Sequence, residues 1–190
     1  DIPVAISANS NTITNVNHSG NSGSLRGLAG GQTATNNLIE NITWTSPAST
    51  GIIFGSYGAG NTFSNNIFRN FFTPSTGTIT GISNAGGIGT KTISGNQIYN
   101  FGTTSAGAGG ATIYGIDVNG GNSSVVSNSV YSLSSTGTTG GTTGTITGVV
   151  VSGGTNTSVY KNKIFDLYSN SKSATVNGIS ITGGTLNTIY

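Results

Sequence analysis

Thr145–Leu167 reads TITGVVVSGGTNTSVYKNKIFDL, and near copies of it recur along the chain. Thr78–Phe101 is TITGISNAGGIGTKTISGNQIYNF, and Thr112–Leu133 is TIYGIDVNGGNSSVVSNSVYSL. A further copy, TVNGISITGGTLNTIY, covers Thr175–Tyr190. A repeat of this length sets the architecture before any local reading, because each copy is a unit that buries its apolar face only against its neighbours.

Two anchors align the copies. One is a glycine followed by an apolar residue: Gly27-Leu28, Gly51-Ile52, Gly81-Ile82, Gly115-Ile116, Gly148-Val149 and Gly178-Ile179. The other is an asparagine with an apolar residue two places on: Asn11, Asn37, Asn66, Asn96, Asn128 and Asn162. Successive asparagines are 26, 29, 30, 32 and 34 residues apart, so the unit drifts around 30.

Three apolar columns follow. Two places before the glycine stand Leu25, Ile79, Ile113, Ile146 and Val176. Three places before the asparagine stand Ala8, Ala34, Phe63, Ile93, Val125 and Val159, and five places after it Val16, Ile42, Phe71, Phe101, Leu133 and Leu167. One chemistry kept at one position from copy to copy is what direct stacking of equivalent residues requires.

The residue types are Thr, Ser, Val, Ile and Gly, which favour strand over helix. The pattern predicts three short strands per unit. The first contains the glycine anchor and ends at a Gly-Gly turn, as at Gly86-Gly87. The second leads to the asparagine, and the third follows it. The asparagine is expected to occupy the corner in left-handed geometry, which Asn tolerates better than other non-glycine residues. A second polar column, Asn15, Asn41, Asn70, Asn100, Ser132 and Asp166, lies four places after it. Trp44-Thr45-Ser46-Pro47 reads as an exposed or capping loop, and Gly102–Gly110 and Ser134–Gly144 as polar surface excursions.

These repeats resemble the right-handed parallel β-helix proteins of the pectin-lyase-like superfamily, above all the Gly-, Thr- and Asn-rich versions in large secreted bacterial surface proteins. The resemblance spans the chain and is cleanest over Thr78–Tyr190. It implies one all-β solenoid over residues 1–190, right-handed, of about six coils with three parallel sheets. It also implies an internal ladder of Asn11, Asn37, Asn66, Asn96, Asn128 and Asn162. The fold hosts enzymes, adhesins and inert stalks alike. Incomplete units at both ends, Asp1–Val16 and Thr185–Tyr190, lead to the expectation of continuation, as more of the same polypeptide or as copies stacked end to end.

The composition bounds the chemistry. Of 190 residues only 5% are charged, and the net charge of +2 comes from scattered Lys and Arg. That offers no footprint for nucleic acid or an anionic membrane. Zero cysteine removes disulfides and thiolate metal sites. No apolar run reaches the roughly 18 residues of a membrane span. The acids are Asp1, Glu40, Asp117 and Asp166, too few and too dispersed for a paired-carboxylate hydrolase. His18, the single histidine, falls in a stretch read as a solvated loop. In Gly86-Gly87-Ile88-Gly89-Thr90-Lys91, a lysine stands where a calcium turn needs Asp. The sequence therefore calls for no catalytic residue, cofactor or metal.

Two outward columns remain as candidates. Three places after each asparagine come Thr14, Glu40, Arg69, Tyr99, Tyr131 and Phe165. Arg69, Tyr99, Tyr131 and Phe165 form the candidate glycan contact, unless the following loops cover them. Thr78, Thr112, Thr145 and Thr175, with Thr80 and Thr147, form rows like those of an ice-binding face, interrupted by Tyr114 and Asn177. The expected role is a structural or adhesive segment of a secreted, cell-surface bacterial protein. A polysaccharide-active β-helix with its catalytic residues elsewhere is the alternative, and ice binding a minor one.

Overall fold

The computed structural model describes residues 7–20, 22–30, 33–45, 52–73, 77–87, 89–103, 110–136, 144–171 and 173–190. Among them there is no helix, only strands that return to the same three directions. The first sheet contains β1 (Ser7–Asn9), β4 (Thr33–Thr35), β7 (Thr62–Ser64), β10 (Thr90–Ser94), β13 (Asn122–Val126), β16 (Asn156–Tyr160) and β19 (Thr188–Ile189). The second contains β2 (Thr12–His18), β5 (Leu38–Trp44), β8 (Ile67–Thr73), β11 (Gln97–Thr103), β14 (Ser129–Ser135) and β17 (Lys163–Ser169). The third contains β3 (Ser24–Ala29), β6 (Ile52–Gly58), β9 (Thr78–Ala85), β12 (Thr112–Asn119), β15 (Thr145–Gly153) and β18 (Thr175–Ile181). Each strand pairs in parallel with its counterparts one coil away, which makes the chain a parallel β-solenoid.

The core is the set of sequence columns. Ile82, Ile116, Val149 and Ile179 stand in register, as do Ile98, Val130 and Ile164. All are buried except Ile164 and Ile179, which are partly covered. Ala8, Ala34, Phe63, Ile93, Val125 and Val159 form a third stack. Phe71 and Phe101 lie ring on ring, 4.5 Å apart.

The asparagine ladder is present and lies inside. Asn37, Asn66, Asn96 and Asn128 are buried. The backbone N–H and Nδ2 of each donate to Oδ1 of the asparagine in the following coil, at 2.8–3.0 Å. The remaining Nδ2 hydrogen goes to a carbonyl of the preceding coil, as from Asn128 to Ile93 O at 2.9 Å.

The left-handed residue at the corner is not the ladder asparagine, however, but its predecessor: Ser10, Asn36, Asn65, Gly95, Ser127 and Lys161, with φ of 54–65°. The turn is made one residue early, and that leaves the asparagine free to point its amide inward. The second polar column is left-handed as well, from Asn15 (φ 58°) to Asp166 (φ 54°). This explains why its strands carry core residues three apart rather than two. In β8, Phe68 and Phe71 both point inward while Arg69 and Asn70 both face out. A single left-handed residue shifts the phase of the alternation.

Three further expectations change. The second coil's anchor is Gly55, not Gly51. Leu25 pairs with Ile53 and Leu28 with Ser56, while Gly51 itself lies outside the described residues. Ser56 takes the place of the usual aliphatic, which hid the match. Trp44 is fully buried at the end of β5 rather than exposed in a loop, and its Nε1 donates to Gly20 O at 2.7 Å. His18 ends β2, half-buried edge-on against the Trp44 ring at 4.3 Å. Asp1 and most of the two long excursions, 104–109 and 137–143, lie outside the described residues.

The glycine column has a steric cause. A Cβ on Gly81 would stand 2.6 Å from Gly115 O and 2.8 Å from the Ile98 side chain. The coil closes here by direct approach of backbone to the neighbouring sheet.

Candidate functional site

The outward column of the β2–β17 sheet is assembled as its spacing requires. Thr14, Glu40, Arg69, Tyr99, Tyr131 and Phe165 occupy one register line. Tyr99 and Tyr131 are half-buried and Phe165 is exposed. Tyr99 stacks on Tyr131 at 4.8 Å, and Tyr131 on Phe165 at 4.9 Å, with interplanar angles of 5° and 1°. These distances equal the strand spacing of a sheet. The rings therefore face one another along the solenoid axis and turn their edges to solvent.

Arg69 closes the other end. Its Nε donates to Glu40 Oε2 at 2.6 Å, and Nη1 donates to Tyr99 Oη at 3.1 Å. The hydrogen bond to Tyr99, then that to Glu40, raises the guanidinium above its ordinary value. Burial, followed by the charge of Tyr99, pushes the Tyr131 phenol up. Arg69, Tyr99, Tyr131 and Phe165 are thus brought together, but as a self-satisfied ladder. A sugar ring stacking flat against it would find a free face only on Phe165, while hydroxyl and guanidinium edges remain for polar contacts.

Beside this column runs the row of left-handed residues. Asn41 Nδ2 donates to Asn15 Oδ1 at 3.1 Å, Asn70 to Asn41 at 2.8 Å and Asn100 to Asn70 at 2.6 Å. Ser132 donates to Asp166 at 2.6 Å. The solenoid therefore carries a second, outward asparagine ladder, which the sequence displayed as a column without showing that it bonds.

The threonine rows lie on the β3–β18 sheet, with Thr78, Thr112, Thr145 and Thr175 in register. Thr80 and Thr147 are only 2% and 1% exposed, and Tyr114 stands between them in the same line. A flat double file of threonine methyls is not formed.

The carboxylates do not converge. Glu40 and Asp166 sit on β5 and β17, with three strands between them in one sheet, and Asp117 sits on β12 of another. Among the described residues no three His, Cys, Asp or Glu form a metal-binding group, and no helix is long and apolar enough to cross a membrane.

One interior group escaped the sequence reading. Lys91 is fully buried; its Nζ donates to Asn84 Oδ1 at 2.7 Å and touches Gly86 O. Burial lowers the amine below its ordinary value. Only the strand alternation of β10 revealed this side, because Lys91 lies two places before the core residue Ile93.

Comparison with known proteins gives no match to a family model, a curated protein or a solved structure.

Proposed function

We propose that the chain is a structural or adhesive β-solenoid segment of a larger secreted or cell-surface bacterial protein. The observation that carries this reading is the unbroken stack, in which every strand pairs in parallel with its counterparts and one inward asparagine ladder joins coil to coil. Among the described residues β17, β18 and β19 are edge strands of their three sheets. Val176, Ile181 and Ile189 are 42%, 41% and 50% exposed, and Tyr190 is 73% exposed beyond them. Parallel edges with apolar residues attract further pairing. The fitting occupant is another parallel coil, such as that of a second copy of this chain. The inward asparagines at the corner between the first and second sheets support a coil of the pectin-lyase-like kind, with its right-handed winding.

The test is light scattering of the purified chain over a concentration series, with electron microscopy of the same samples. Self-association into rods, suppressed by Ile181→Lys and Ile189→Lys, is the expected result. A monomer at every concentration, with both apolar residues fully protected from solvent by the chain itself, would refute pairing through these edges. Surface labelling of the native protein in its host checks the location.

A further inference from the structure

A groove of about 370 Å³ lies on the outer face of the β3–β18 sheet, one coil wide, between β12 and β18. Its floor is Thr147 and Val150, which are 1% and 7% exposed. The register places Tyr114 and Asp117 along one side and Asn177 and Ser180 along the other. Among the described residues of the lining Asp117 is the only charged group. Its carboxylate is half-buried, and among the described residues it accepts one hydrogen bond, from Ser152 Oγ at 2.9 Å. The single ion pair among those residues, Arg69–Glu40, belongs to another sheet.

Asp117 is therefore an anion stripped of part of its water and, among the described residues, given no counter-ion. Burial holds its carboxyl above the ordinary value. The same charge, after burial, raises the Tyr114 phenol, which sets ring and carboxylate on one rim. Its register neighbours on β9 and β15, Ser83 and Val150, carry no charge. A partly desolvated carboxylate gains most from a cation brought to it, and an aromatic wall adds attraction for an ammonium. The opposite side offers an amide and a hydroxyl, which suit a hydroxylated body rather than an apolar one.

We propose that this groove binds an amino sugar carrying a free ammonium group. The ammonium sits on the Asp117 carboxylate beside the Tyr114 ring, and the sugar hydroxyls reach Asn177 and Ser180. This deepens the adhesive reading above and rests on it for biological meaning alone; binding by the isolated chain is a separate matter from where the protein is displayed.

The test is titration of the purified chain with glucosamine oligomers, with their N-acetylated counterparts and with glucose oligomers, followed by calorimetry and amide NMR shifts. The free-amine oligomer alone binds, with shifts centred on Thr147 and Val150. Asp117→Asn weakens it at least about tenfold, as expected when one partner of a charge pair is removed. Tyr114→Leu weakens it less. Binding fades as pH falls through the range in which Asp117 takes up a proton. Equal binding of the acetylated or glucose oligomers, or no shift at the groove with any of them, overturns the proposal. The comparison of free-amine and acetylated oligomers uses the unaltered chain, so it stands even where a variant fails to fold. No binding by a chain that is nonetheless displayed on the cell surface removes the ligand and leaves the structural reading intact.

Discussion

Replacing Asn128 by alanine tests the interior ladder most directly. Its Oδ1 accepts from Asn96 N at 3.0 Å and from Asn96 Nδ2 at 2.9 Å, and its Nδ2 donates to Ile93 O and to Asn162 Oδ1. The backbone N–H of residue 128 keeps its own bond to Asn162 Oδ1. Alanine therefore strands two buried donors, the Asn96 N–H and one Asn96 amide hydrogen, while the Ile93 carbonyl keeps its partner in the sheet. Each costs about 1–3 kcal/mol when left without a partner inside a protein. Neighbouring losses do not add fully, so the expected destabilisation is about 3 kcal/mol or more. Asn11 supplies the control. Its exposed side chain donates only to Asn37 Oδ1, which still receives the Asn11 N–H after truncation. Asn11→Ala should cost about 0.5–1 kcal/mol. Urea unfolding by circular dichroism measures both, and hydrogen exchange at the Asn96 amide reports the stranded donor. Equal losses at positions 11 and 128, or unchanged protection at Asn96, would show that the ladder holds nothing together.

Gly81→Ala should destabilise by about 1–3 kcal/mol through overpacking, while Gly178→Ala, where an added Cβ meets nothing within 4 Å, should be neutral in the same thermal melts. Asn100, at φ 57°, should accept glycine readily, whereas Asn100→Val costs about 1–2 kcal/mol for the left-handed backbone, read from urea midpoints. Lys91→Met should change the melting temperature little at neutral pH, since the gain from removing a buried amine is offset by leaving Asn84 Oδ1 without its donor. The amine's folded-state value is depressed, so the unfolded chain binds the extra proton. Stability of the parent should accordingly rise as pH climbs toward the ordinary lysine range, and that slope should vanish in Lys91→Met. A flat profile in the parent would show that Lys91 is not held as described.

The fold was legible because stacking forces chemistry to repeat. Ile82, Ile116 and Val149 share one environment, so one residue type recurs and the column can be read without coordinates. Geometry that a side chain does not register was harder to read. The left-handed corner accepts Ser10, Asn36, Gly95 and Lys161 alike, so it left no column, and the conspicuous asparagine beside it drew the assignment instead. Gly55 was missed because Ser56 broke the expected dipeptide. The aromatic column was located correctly. That its rings turn their faces toward one another follows from strand spacing and side-chain rotation together, and only the first of these is written in the spacing of residues. Asp117 gave no signal because its neighbours in the groove, Val150, Ser152 and Ser180, come from neighbouring coils at long and variable separations.

The interior ladder also has a direction. Every amide in it donates forward from N–H and Nδ2 to the oxygen of the next coil, from Asn11 through to Asn162. Among the described residues the ladder thus begins on an amide oxygen, at Asn11, and ends on amide hydrogens, at Asn162. The two groups are complements, and neither complements itself. Two copies meeting through them satisfy the ladder only head to tail; a two-fold dimer would oppose like to like. A head-to-tail contact that repeats without closing generates a polar filament. The ladder is thus a polar element: whatever extends it must offer a donor on one side and an acceptor on the other.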